Sequence, residues 1–105
     1  MQYDTRKAPR IKVSLPARWE GVVEQRDATA TSLSIIGCFL LSGGDVKPRE
    51  LLRIEIHLPD GERVYCWGEV VNQANDIGFA VRFNALDEAE QERLMNFISV
   101  RLDTR

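Results

Sequence analysis

Strict alternation of apolar and polar residues over ten positions is the feature that most limits the folds open to this chain. A period of two places the apolar side chains on one face of an extended strand, whereas a helix would distribute them around its axis. The segment from Ile11 to Glu20 is therefore predicted to be a half-buried antiparallel strand, which Val22 and Val23 can continue beyond a bend at Gly21. Its alternating apolar residues are Ile11, Val13, Leu15, Ala17 and Trp19.

Similar β patterns recur along most of the chain. The sequence Pro59-Asp60-Gly61 predicts a tight turn between two of these strands, because proline presets one backbone angle and glycine accepts a left-handed one. Strands this short, joined by regular turns, are typical of sandwiches and small barrels. The further predicted strands are 28–35, 38–41, 52–58, 63–72 and 77–83.

A single helix is predicted at the C-terminal end, over 87–102. Asp87 is a favourable N-cap, and Glu90 three residues later completes a capping-box pattern. The fold class is therefore mainly β: a small six- or seven-stranded antiparallel β-barrel with a C-terminal α-helix. We expect residues 1–10 to form a mobile basic arm and residues 11–105 to form the barrel with its helix.

Composition limits the possible ligands. With 105 residues, the chain has the length of one domain, and its formal net charge of −2 gives no global attraction for nucleic acid. An anionic ligand would need a local cluster of positive charge. The first twelve residues supply one, because they contain one acidic residue, Asp4, and four basic residues: Arg6, Lys7, Arg10 and Lys12.

Location and redox state are predicted from what the sequence lacks. No apolar run approaches the roughly 20 residues needed to span a bilayer, and no signal-peptide pattern is present, so we expect a cytoplasmic protein that does not span the membrane. Cys38 and Cys66 lack metal-binding or redox spacing and are predicted to be reduced, buried thiols.

The sequence does not contain the residues that an enzyme of a common class would need. His57 is the only histidine, and it falls on the polar side of its predicted strand. One histidine and two separated cysteines form no zinc ligand set, and no nucleophile motif accompanies His57. We therefore predict that the protein is not an enzyme and has neither a metal nor a cofactor.

Two short motifs combine arginine, serine and glycine at fixed spacings. Arg6 and Arg10 form an Arg-x-x-x-Arg segment, and Ser34 and Gly37 form the end of an [Asp/Asn]-x-Ser-x-x-Gly segment, in which Ser32 replaces the acidic or amide residue. Both motifs resemble those of the PilZ domain family. The order of the predicted strands and of the closing helix also resembles that family over nearly the whole chain. The resemblance implies a receptor for cyclic di-GMP, a ring with two phosphates and two guanines.

The resemblance also implies a set of binding residues. An arginine can clamp a phosphate or donate two hydrogen bonds to a guanine edge, and two arginines four apart in an extended arm lie about 13 Å apart. Ser34 would present its hydroxyl to the ligand, and Gly37 would leave room for it. The implied cyclic di-GMP-binding residues are Arg6, Arg10, Ser32, Ser34 and Gly37, with Lys7 and Gln73 as further candidates.

Two functions remain open on the sequence. In the first, the arm orders when cyclic di-GMP binds, and the protein, a monomer, signals as an adaptor to a protein effector. Ser32 accepts hydrogen bonds without charge, which predicts affinity about tenfold weaker than with an aspartate. In the second, the chain is a degenerate PilZ-like interaction module that does not bind the nucleotide.

Overall fold

A computed structural model describes residues 8–74 and 76–103 of the chain. The described residues form six strands followed by one helix, so the predicted β-barrel class is confirmed with six strands and no seventh. The elements are β1 (Ile11–Glu20), β2 (Gln25–Leu33), β3 (Gly37–Leu41), β4 (Leu51–His57), β5 (Arg63–Ala74), β6 (Gly78–Asn84) and α1 (Glu88–Asp103).

The six strands close into a barrel in the order β1-β2-β3-β6-β5-β4, with every neighbouring pair antiparallel. Closing so few strands requires strong local curvature, which bulges provide. Irregularities of this kind occur between Lys12 and Leu15 in β1, between Ala30 and Ser32 in β2, and between Val70 and Asn72 in β5.

The interior of the barrel is filled by the apolar residues that the alternation placed on one face. Trp19 is 1% exposed and meets Phe79 edge to face, with ring centroids 5.5 Å apart. Helix α1 packs against β1 and β5 and adds Leu94 and Ile98 to this core. We call the barrel end where β1 begins and β2 finishes the helix end. The opposite end, formed by the connections after β1, β3 and β5, is the loop end.

Two local predictions have different outcomes. Asp87 is the N-cap of α1, because its Oδ1 accepts the backbone N–H of Glu90 at 2.9 Å; the Glu90 carboxylate instead pairs with Arg93 at 2.7 Å. The predicted continuation of β1 through Val22 and Val23 is wrong. Those side chains are 87% and 83% exposed, because the chain turns back at Gly21, whose N–H bonds the carbonyl of Glu24.

Helix α1 has 16 residues, and none of the helices in the described part of the chain is long and apolar enough to cross a membrane.

Candidate functional site

The connection from β2 to β3 is a tight turn built on Ser34. The backbone N–H of Ser34 donates to the carbonyl of Gly37 at 2.9 Å, and its hydroxyl accepts the N–H of Ile36 at 3.1 Å. Ser34 is 0% exposed, and Ile36 in turn accepts a 2.8 Å hydrogen bond from the N–H of Phe83 at the end of β6. The hydroxyl therefore holds the turn together from inside the fold, and its contact with a ligand stays a prediction.

Gly37 begins β3 and lies directly against β6. A Cβ at this position would overlap the carbonyl oxygen of Val81 and come within 3.2 Å of the Cα of Arg82. The turn thus requires glycine because of this close approach between strands. Positive φ angles among the described glycines occur at Gly44 and Gly61 instead.

The outer wall beside this turn carries the second half of the predicted site. Arg10 immediately precedes β1 and is exposed, while Ser32 lies half-buried in β2. Nη1 of Arg10 donates to the hydroxyl of Ser32 at 3.0 Å. The structure therefore brings together one arginine of the first motif and the serine that departs from the second motif. Because the acceptor is neutral, the guanidinium keeps its full charge at the surface.

Lys12 also belongs to this part of the wall. It is the direct cross-strand partner of Ser32, and it is exposed. The sequence places Lys12 in the basic cluster, but the resemblance does not assign it to the binding site. Its spacing of two residues from Arg10 indicates that both side chains lie on one face, because residues two apart in an extended chain project to the same face.

From Ser32, the wall continues across β3 and β6 through uncharged side chains. Phe39 of β3 lies opposite Ser32, and Ala80 of β6 lies opposite Phe39; both are half-buried. Two residues further along these strands, Gly37 of β3 lies opposite Arg82 of β6. Arg82 also forms a 3.6 Å ion pair with Glu69. The surface thus offers an apolar strip bordered by arginines, which suits a flat ligand that carries anionic groups.

The remaining predicted site residues are not brought to this wall by the described structure. The side-chain amide of Gln73 donates to the carbonyl of Val46 at 2.6 Å, in the connection after β3, at the loop end. The Ser34–Gly37 turn lies at the helix end, so Gln73 and the turn occupy different ends of the barrel. Arg6 and Lys7 lie outside the described residues.

His57, Cys38 and Cys66 are the remaining side chains whose chemistry could suggest a catalytic or metal site. His57 lies 2.5 Å from Glu55, which also pairs with Arg63 at 3.0 Å. Cys38 and Cys66 are free, and burial raises the pKa of both thiols, that of Cys66 to about 12. Within residues 8–74 and 76–103, no cluster of three or more His, Cys, Asp or Glu side chains could hold a metal ion.

Comparison with known proteins decides the family. The model of the PilZ domain matches residues 4–99, which is most of the chain. This chain belongs to the PilZ domain family. The match spans both motifs, the six strands of the barrel and most of α1. A search of curated proteins found no match.

Three solved structures share the fold at low sequence identity. The PilZ domain of YcgR from Escherichia coli, solved with c-di-GMP, superposes with a TM-score of 0.75 at 12% identity, covering 97% of this chain and 95% of that one. The PilZ domain of CeSA from a cellulose-synthesizing bacterium gives 0.70 at 14% identity, covering 87% and 95%. The inhibitor of motility MotI/DgrA of Bacillus subtilis gives 0.82 at 15% identity, covering all of this chain but only 54% of MotI. The chain therefore spans about half the length of that protein.

Proposed function

We propose that this PilZ domain is a receptor for cyclic di-GMP and acts as an adaptor toward a protein effector. PilZ domains are receptor and adaptor modules rather than enzymes. The observation that carries the proposal is the contact of Arg10 with Ser32, because it places a charged guanidinium of the first motif on the wall beside the second. The YcgR structure with c-di-GMP supports the same ligand for this fold.

The roles of the site residues follow from their surroundings. Arg10 contacts a phosphate or a guanine edge, and Arg6, with Lys7, adds a second contact from the arm. Ser32 accepts a hydrogen bond from the ligand or keeps Arg10 aimed at it. Ser34 and Gly37 fix the shape of the turn on which the ligand rests, since one is buried and the other lies against β6.

Signalling would begin with the arm. Residues 1–10 close over the ligand, and the loss of conformational entropy is offset by the new phosphate and guanine contacts. The ordered arm and the exposed face of the ligand then form a surface that the free protein does not offer. We propose that the effector recognises this surface in the cytoplasm, with the PilZ domain as a monomer.

A second function is favoured by a different surface. Trp67 and Tyr65 of β5 are 49% and 54% exposed on the outer wall, and the guanidinium of Arg53 lies 5.8 Å from the Trp67 ring centroid. Exposed aromatic and arginine side chains are enriched where proteins bind each other. The alternative is therefore an interaction module that binds its partner without the nucleotide.

Isothermal titration calorimetry with cyclic di-GMP distinguishes the two functions. We expect the wild type to bind with micromolar or tighter affinity and Arg10→Ala to lose at least about thirtyfold, as for a charged group removed from a phosphate. Arg18→Ala is the matched control, because Arg18 is an exposed arginine of β1 whose contact is a 3.9 Å pair with Asp27. No binding by the wild type would leave the interaction module. Equal losses in both variants would instead mean that Arg10 makes no specific contact with the ligand.

A further inference from the structure

We infer that Lys12 is an additional phosphate-contacting residue of this site, an assignment that rests on the proposed function. Lys12 is the Cα partner of Ser32 across the β1–β2 ladder. Residues directly opposite each other in antiparallel strands have their side chains on the same face, about 5 Å apart at Cβ. Lys12 therefore lies beside the serine that holds Arg10.

Arg10 and Lys12 together form a two-cation edge on the wall. They are separated by one buried residue, Ile11, so both project outward, with Cα atoms about 6.7 Å apart in an extended segment. That spacing is half the separation of the two arginines of the first motif. It allows both side chains to contact one phosphate group. It also allows the Lys12 ammonium and the Arg10 guanidinium each to contact a different anionic group of one small cyclic ligand.

Within residues 8–74 and 76–102, no carboxylate forms an ion pair with Arg10 or Lys12, so no acidic group in this part of the chain neutralises the charges of this edge. Ser32, the polar side chain between them, is neutral. A cation without a carboxylate partner gives its full attraction to an incoming anion, because no existing ion pair must first be broken.

A structural role for Lys12 is the competing explanation. Strand β1 pairs with β4 only from Ala17 to Glu20, so the first half of β1 has no hydrogen-bonded partner in β4 on that side. Lysines on such strand edges prevent pairing with other chains. Replacing a lysine that only protects the strand edge in this way, a gatekeeper lysine, would leave ligand affinity unchanged. Replacing a lysine that contacts a phosphate would lower it.

The test is calorimetric titration of cyclic di-GMP into Lys12→Gln, Lys12→Arg and a control, Lys47→Gln. Lys47 is an exposed lysine in the connection after β3, at the loop end. We expect Lys12→Gln to weaken binding about five- to tenfold, Lys12→Arg to keep it within about twofold, and Lys47→Gln to match the wild type. The loss should shrink between about 0.05 and 0.5 M salt, because salt screens exposed charges.

The outcomes separate this inference from the proposed function. If the wild type does not bind the nucleotide, the receptor function fails. If the wild type binds, Arg10→Ala loses affinity and Lys12→Gln does not, the receptor function stands and the assignment of Lys12 is wrong. Increased self-association of Lys12→Gln with unchanged affinity would also overturn the assignment and would indicate the gatekeeper role.

Discussion

The Ser34–Gly37 turn and the Arg10–Lys12 segment lie side by side at the helix end, but they use their polar groups in opposite ways. In the turn, the Ser34 hydroxyl is fully buried and serves the backbone, and Gly37 lies against the neighbouring strand. In the segment, two exposed cations lie beside a neutral serine, and one 3.0 Å hydrogen bond ties Arg10 to the barrel.

This difference separates two tasks within one pair of motifs. In the proposed receptor, the turn supplies a fixed wall, because the polar groups of Ser34 already bond within the turn. The segment supplies charge that can be redirected, because a neutral hydrogen bond at the surface is worth only about 1 kcal/mol. Substitutions in the turn should therefore lower stability, and substitutions in the segment should lower affinity.

The largest expected effect is on stability, for Gly37→Ala. The added Cβ overlaps the Val81 carbonyl, so β3 and β6 must separate where their ladder begins. Overpacking against backbone, which cannot rotate away, should lower the free energy of unfolding by about 3 kcal/mol, measured by urea denaturation.

Gly43→Ala is the matched control for that measurement. A Cβ at Gly43 would meet Nη1 of Arg26 at 3.4 Å, which is ordinary contact with a flexible side chain. It should change stability by less than about 0.5 kcal/mol. If Gly37→Ala were as stable as Gly43→Ala and lost only ligand affinity, Gly37 would serve the ligand and the turn would not be the rigid partner in this comparison.

Ser34→Ala should have the next largest effect. Removing the hydroxyl leaves the N–H of Ile36 without its 3.1 Å acceptor inside the turn, which should lower the free energy of unfolding by about 2 kcal/mol. Ser99→Ala, at an exposed position of α1, is the control and should be near neutral.

The same variant tests the division of tasks through ligand binding. At a temperature where Ser34→Ala is fully folded, its affinity for cyclic di-GMP should stay within about threefold of the wild type. A loss of tenfold or more would show that the hydroxyl itself contacts the ligand, as the sequence resemblance implies.

The fold could be read from the sequence because alternation reports burial directly. Trp19 and Val81 fall on the predicted inner faces, and both are buried. The strand ends were less predictable. Val22 and Val23 carry β-forming side chains, but the chain turns at Gly21, whose N–H donates to the carbonyl of Glu24, and the N–H of Val22 donates to the carboxylate of the distant Glu50. Tertiary contacts, rather than local propensity, decide where such a strand finishes.

The site was predictable only in part, for a related reason. A motif names residue types in order but not the direction in which a side chain points. The burial of Ser34 depends on the closure of the β2–β3 turn, and the place of Lys12 opposite Ser32 depends on the sheet register, which here is shifted by a bulge. The contact of Gln73 with a ligand stays a prediction, and in the structure its amide donates to the carbonyl of Val46 at the loop end.

The smallest effect, and the one that best defines the segment, is expected for Ser32→Asp. A carboxylate accepts charge-assisted hydrogen bonds from guanine N–H groups, which should improve the free energy of binding by about 1 to 1.5 kcal/mol relative to a hydroxyl. The exposed pairing of this carboxylate with Arg10 and Lys12 offsets part of the improvement. We expect cyclic di-GMP to bind about five- to tenfold more tightly, measured by calorimetry. Cyclic di-AMP, whose adenines lack those donors, should not bind more tightly. Weaker binding of both nucleotides would mean that the carboxylate draws the two cations away from the phosphates, and that the neutral Ser32 serves this site by leaving their charge free.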